Sequence, residues 1–245
     1  MCPQSNLSMA NPYFKFKQFT IWHDKCAMKV GTDGALLGAW AAPKKARTIL
    51  DIGTGTGLIA LMLAQRCTAL IDAIDIDADA CLQATENVAR SPFGNRIRVH
   101  HAGLSGFHPS EPSSYDLIVS NPPYFHQSLK CPDPKRNRAR HSDSLSLEEL
   151  FRESRRLLAP EGRLSLILPF DQLELIHQVS QLNGFHWITR TDVSPVVGSA
   201  PKRLLAEWGL QPVPHPLPTS LSLEYPDRRY TEAFIELERD YYLKM

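Results

Sequence analysis

The chain has 245 residues, 43% of them hydrophobic and 22% charged, with a formal net charge of +1. That balance fits one soluble globule with short extensions, and no apolar run is long enough to cross a bilayer. No basic segment followed by an apolar stretch opens the sequence, and five scattered cysteines form no CxxC pair, which argues against a secretory signal, a disulfide framework and a zinc site and fits a reducing cytoplasm.

Residues 1–12 read as a tail with prolines at 3 and 12, and 13–33 mix aromatic residues with lysines. Ala35 to Ala41 predicts a short apolar helix stopped by Pro43. From Thr48 strands and helices alternate. Strands are predicted over 48–52, 69–76, 97–101, 115–120, 163–168, 185–193 and 203–210, and helices over 58–65, 79–90, 146–158 and 171–182. Helix-length segments between strands imply βαβ crossovers and a doubly wound, mostly parallel α/β sheet of seven strands. The last two strands are separated only by a turn-rich stretch around Pro195, Gly198 and Pro201, so the last is expected to be antiparallel. Alternating prolines at 212, 214, 216 and 218 predict a stiff connector, and a C-terminal helix is expected from Thr231. The expected organisation is an N-terminal extension (1–33), a main domain (34–211), and a connector with its helix (212–245) in the same globule.

Asp51-Ile52-Gly53-Thr54-Gly55-Thr56-Gly57 joins the first core strand to a helix. Glycines allow a sharp turn and let the backbone approach a ligand, although such a loop is equally readable as a turn that binds nothing. A dinucleotide would call for G-x-G-x-x-G, but Leu58 stands where the third glycine belongs. Asp51, two residues before the first glycine, would repel a pyrophosphate and tolerate the cationic methionine end of S-adenosylmethionine. Asp75, at the end of the next strand, is placed to accept hydrogen bonds from ribose hydroxyls, and Asp77 reads equally as a helix cap.

Asn121-Pro122-Pro123-Tyr124 follows the strand 115–120. Two prolines fix the backbone just past the strand's carboxyl end, where open α/β sheets bind ligands. The Asn121 amide oxygen and the Pro122 carbonyl then offer two neutral acceptors to the protons of one NH₂ group, and Tyr124 and Phe125 a flat face for stacking. Read alone, the tetrapeptide is also a stiff turn.

These two motifs resemble those of the class I amino-methyltransferases, whose fold is a seven-stranded sheet with its last strand antiparallel. A narrower resemblance is carried by Phe16-Lys17-Gln18-Phe19, Cys26 through Gly34, Leu36-Leu37-Gly38-Ala39-Trp40, Arg138-Ala139-Arg140-His141 and Tyr241-Tyr242-Leu243. Those segments are similar to the bacterial tRNA1(Val) adenine N6-methyltransferases. The resemblance implies methyl transfer from S-adenosylmethionine to adenine 37, beside the anticodon of a valine tRNA, with Lys29, Gly31 and Thr32 over the cofactor. It also implies an acid after the third strand, where this chain has Gly103.

Lys130, Lys135, Arg136, Arg138, Arg140 and His141 cluster after the corner, offset by Asp133 and Asp143. A charge run is usually a solvated loop, but beside a base-sized pocket it is a candidate phosphate clamp, with Lys15, Lys17, Lys25 and Lys29 as a second rim. The histidines have no metal spacing, His126 near the corner is a candidate proton acceptor, and no Gly-x-Ser-x-Gly elbow supports acyl hydrolysis. Three other readings stand: methylation of a glutamine amide in a protein, a non-catalytic RNA-binding module, and a nicotinamide oxidoreductase, which the glycine spacing disfavours.

Overall fold

The computed structural model describes residues 11–26, 30–43, 45–109, 114–123, 145–214 and 218–245. In chain order these form β1 (Tyr13–Lys15), β2 (Thr20–Trp22), α1 (Thr32–Trp40), β3 (Thr48–Ile52), α2 (Leu58–Arg66), β4 (Leu70–Asp75), α3 (Ala78–Ala89), β5 (Ile97–His101) and β6 (Tyr115–Ser120). There follow α4 (Leu147–Leu157), β7 (Leu158–Pro169), α5 (Leu173–Leu182), β8 (His186–Val196), β9 (Arg203–Gly209), β10 (Pro218–Glu224) and α6 (Glu232–Glu238).

β1 and β2 make a separate antiparallel hairpin, and the other strands form one eight-stranded sheet in the order β10-β8-β9-β7-β6-β3-β4-β5. Only β9 runs against its neighbours β7 and β8. Side chains alternate between two cores, as a period of two requires. Leu204, Ala206 and Trp208 enter the core under α4 and α5, whereas Leu205 enters the one under α1, α2 and α6. Crossovers from β3 and β4 pack on one face and those from β6 and β7 on the other. The winding therefore reverses between β3 and β6, the switch point at which such sheets bind ligands.

The sheet has eight strands where seven were expected. β10 pairs in parallel with β8 at the sheet edge, starting at Pro218, the last of the supposed connector prolines. An edge strand's first residue needs no donor toward solvent, so proline is tolerated there. Leu221 is buried and Leu223 packs beside it, but the intervening serines dilute the apolar pattern.

Three boundaries also move. α1 begins at Thr32, with Gly31 at its N-cap and Asp33 in its first turn. Pro160-Glu161-Gly162 lies inside β7, where the pairing with β6 shifts register, rather than ending a helix. The hairpin takes up part of the stretch read only as aromatic and basic. Phe16, Phe19 and Ile21 are buried in it, and Phe16 forms a bridge to Tyr242 near the chain's other end. Tyr241 is buried with its hydroxyl donating to the Met62 carbonyl at 3.0 Å. Among the described residues, no helix is long and apolar enough to cross a membrane.

Candidate active site

The loop after β3 is held open by its backbone. Gly53, Gly55 and Gly57 have φ of 68°, 56° and 82°, a region that L side chains rarely enter. A Cβ on Gly53 or Gly55 would meet no atom within 4 Å, so both face open space. The Gly53 and Thr54 amides donate to the Ile74 carbonyl at 2.9 and 3.0 Å, and the Gly55 amide donates to Asp75 Oδ2 at 2.8 Å. Asp75 Oδ1 accepts from the Asp77 amide at 3.0 Å. Asp77 in turn caps α3 by accepting from the Asp79 amide at 2.9 Å.

Asp51 is wholly buried beneath this loop. Its Oδ2 accepts from Thr54 Oγ1 at 2.7 Å and from the Ala60 amide at 3.2 Å, while Oδ1 has no partner among the described residues. Burial pushes this carboxyl up to about 7, the hydrogen bonds from Thr54 and Ala60 pull partly back, and the Asp75 charge adds to the rise. A buried carboxylate short of one partner is a seat for a cation.

The corner after β6 starts beside this loop. β6 pairs directly with β3, Ser120 opposite Ile52, and the buried Ser120 hydroxyl donates to the Ile52 carbonyl at 2.8 Å. Asn121 thus leaves β6 about one strand spacing, roughly 4.8 Å, from where the glycine loop leaves β3. Asn121 is half-buried, Pro122 buried and Pro123 exposed. Above them lies the first turn of α1. A Cβ on Gly34 would stand 3.2 Å from Leu58 Cδ2 and 4.0 Å from Asn121 Nδ2, so the first turn of α1 lies close to the asparagine. Gly31 and Thr32 are exposed at the start of that helix, and Asp33 pairs with Arg203 at 2.8 Å.

Known proteins are similar to this chain. A family model described as the methyltransferase small domain matches residues 28–175. A tRNA1(Val) (adenine(37)-N6)-methyltransferase of Parabacteroides distasonis is 60% identical over 97% of this chain and 100% of its own length. One of the same name from Serratia proteamaculans is 40% identical over 98% of this chain and 93% of its own. The chain belongs to the tRNA1(Val) (adenine(37)-N6)-methyltransferase family. Among solved structures, a predicted O-methyltransferase of Agrobacterium tumefaciens superposes with a TM-score of 0.67 at 18% identity, covering 85% of this chain and 96% of that one. That likeness concerns the fold alone.

In this member of the tRNA1(Val) (adenine(37)-N6)-methyltransferase family, Gly31, Thr32, Asp51, Gly53, Gly55, Gly57, Asp75, Asn121 and Pro122 are gathered along one end of the sheet. Lys29, Tyr124, Phe125, Lys135, Arg136, Arg138 and Arg140, with Lys130, His126 and His141, lie outside the described residues. No group of acidic, histidine or cysteine side chains among the described residues could hold a metal ion.

Two residues of the site escape sequence reasoning. Ile76 follows Asp75 and is 66% exposed, a large apolar side chain at the mouth of the glycine loop. A Cβ on Gly103 would lie 3.6 Å from Ile76 Cδ1, and the neighbouring Ala102 amide donates to the Asp75 carbonyl at 2.9 Å. Gly103 therefore borders this apolar corner, in place of the acid that the resemblance implied. The only sequence signal was an apolar residue directly after the strand-end acid. Asn87 is the second. Wholly buried on α3, it donates to the Thr56 and Trp22 carbonyls and accepts from the Trp22 amide, each at 2.9 Å. It fastens the hairpin to the loop, and nothing in its helical context marks it.

The residues present fit S-adenosylmethionine. Two glycines open onto free space, a buried carboxyl has an unpartnered oxygen, and a strand-end acid adjoins an exposed apolar side chain.

Proposed function

We propose that this protein transfers a methyl group from S-adenosylmethionine to the exocyclic N6 of adenine 37 in a valine tRNA, with the anticodon loop entering at the Asn121 corner. The observation that carries this reading is the Ser120–Ile52 bond, which ties the corner strand to the loop strand and puts an amide pair beside a nucleoside cradle. The named relatives support the substrate.

When bound, S-adenosylmethionine supplies an electrophilic methyl group on a sulfonium centre. Asp51 and the Gly53–Gly57 backbone would hold its methionine end, Asp75 its ribose hydroxyls, and Ile76 with the Gly103 backbone its adenine. Gly31 and Thr32, with Lys29 by resemblance, would cover it. Asn121 and Pro122 accept one hydrogen bond each from the adenine NH₂, which fixes the direction of the nitrogen lone pair. Positioning of this kind supplies most of what the reaction needs. Neutral acceptors suit it, because an aromatic amine becomes acidic only after alkylation and needs no strong base beforehand. Tyr124 and Phe125 are assigned the stacking face, and Lys135, Arg136, Arg138 and Arg140 the phosphates of the loop. An unpaired loop base is extruded at less cost than one in a duplex.

The test is transfer of labelled methyl to a valine tRNA transcript, with the modified position mapped by mass spectrometry. The reading expects N6-methyladenosine at 37 and none in a transcript bearing guanine there. Label in protein, and none in RNA, would replace it with the glutamine-amide reading.

A further inference from the structure

The hairpin and the end of α3 line an open groove of about 320 Å³ that the Asn121 corner does not use. Its rim carries Lys15, Lys17, Gln18, Thr20, Trp22 and Arg90, three cations and no carboxylate, in a chain of net charge +1. Among the described residues the Lys15 ammonium makes no hydrogen bond or ion pair. Lys17 is committed differently, its Nζ donating to the Arg239 carbonyl and to a main-chain oxygen of Met245. Arg90 lies 5.4 Å over the Trp22 ring, a cation–π contact that keeps its guanidinium at the groove. Glu86 pairs with both Lys25 and Arg90, the latter at 3.8 Å, so one carboxylate is shared between two cations.

The floor beneath these groups is rigid. Phe16 and Phe19 stack at 4.8 Å, and the Phe16 amide donates to the Phe19 carbonyl at 2.9 Å. Trp22 is locked through Asn87 to the Thr56 carbonyl in the glycine loop. A ligand held between Lys15 and Arg90 is therefore held in fixed register with the reacting corner.

We propose that this groove is a second RNA subsite, in which Lys15 and Arg90 grip a backbone phosphodiester of the tRNA outside the loop that carries the reacting base. It rests on the tRNA reading above. A groove lined by cations and by no carboxylate suits a phosphodiester, and phosphate contacts fix register without reading sequence. Backbone contacts here let the enzyme orient an arm whose bases it does not read.

The test compares Lys15→Gln, Arg90→Gln and the double variant with the charge-preserving Lys15→Arg and Arg90→Lys. KM and kcat are measured on a valine tRNA transcript, and binding of fluorescent tRNA is followed over a salt series. Each neutral variant should raise KM for tRNA by roughly threefold to tenfold, and the double variant should lower the log–log salt slope of binding by about two. The value of kcat at saturating tRNA and the cofactor Kd should stay within about twofold, and the charge-preserving variants should keep the wild-type salt slope. An unchanged salt slope and KM in the double variant would overturn the subsite. So would an equal loss in the charge-preserving variants, since that would mark a structural role. Failure of the wild type to methylate tRNA would refute the proposed reaction separately, and the binding series would still decide the groove.

Discussion

Replacing Asp51 by asparagine should make the ligand-free protein more stable at neutral pH and a poorer binder of its cofactor. The wild-type carboxyl is lifted from 3.8 to about 7 by complete burial, against which Thr54 and Ala60 supply only part of the hydration lost. Below pH 3.8 the group is protonated folded or unfolded and contributes no pH dependence. Between that value and about 7 the folded chain keeps a proton that the unfolded chain has lost, so stability falls as pH rises; above about 7 the loss levels off. At 1.36 kcal/mol for each unit of difference, the full effect is at most about 4 kcal/mol. Asparagine does not titrate, and its oxygen can still accept from Thr54 and Ala60. The difference in urea-unfolding free energy between variant and wild type should therefore grow from pH 4 to 7 and then stay constant, by on the order of 2 to 4 kcal/mol. Calorimetric titration should show cofactor binding weakened by about tenfold to a hundredfold, the worth of a charge-assisted hydrogen bond to the methionine ammonium. A difference curve flat with pH, or undiminished cofactor affinity, would refute the assignment of Asp51 as that counter-charge.

Three further perturbations probe the same construction. Asn121→Ala should lower kcat by about 10²- to 10³-fold, as loss of a preorganised polar contact to the reacting group does, with cofactor Kd within about twofold; near-normal kcat would favour the non-catalytic module. Gly34→Ala adds a methyl 3.2 Å from Leu58 and 4.0 Å from the Asn121 amide. Helix propensity should offset the crowding, leaving Tm within a few degrees while kcat falls, and an unchanged kcat would show that α1 does not seat the asparagine. Glu238 is wholly buried on α6, neither carboxylate oxygen has a partner among the described residues, and burial pushes it up to about 8, with Arg66 pulling partly back. Its folded form holds a proton from pH 4.5 to about 8, so wild-type stability declines across that window. Glu238→Gln should be more stable at pH 8 by about 1 to 3 kcal/mol, with no advantage at pH 4.5; parallel stability curves for the two proteins would contradict this.

What could be read from the sequence was what depends on backbone chemistry in a short stretch. Gly53, Gly55 and Gly57 adopt the positive φ for which glycine is uniquely suited, and Asp77 caps its helix as a residue of that type before an apolar-periodic run should. Their meeting with Asn121 was also legible, because right-handed crossovers on opposite faces leave β3 beside β6 and bring both strand ends to one switch point. Contacts that depend on packing between distant segments were not. Phe16 against Tyr242, Asn87 between Trp22 and Thr56, and Gly34 against Asn121 join residues whose own neighbourhoods suggest nothing of the partner. β10 was lost for a related reason: it completes a sheet edge already built, so Leu221 and two serines suffice where a central strand would need a continuous apolar run.

That division has a consequence for the site. The groups assigned to cofactor and amine lie on strand ends, fixed by a parallel ladder with few ways to deform. The groups that cover them come from α1 and the hairpin, which are attached by packing and by contacts between distant segments. Asn87 makes three of those attachments at once, with no water-exposed surface, so its loss would strand two backbone carbonyls and one amide inside the protein. A buried polar group left unpaired costs about 1 to 3 kcal/mol. One buried side chain thus ties the hairpin to the glycine loop, and its loss would be felt by both.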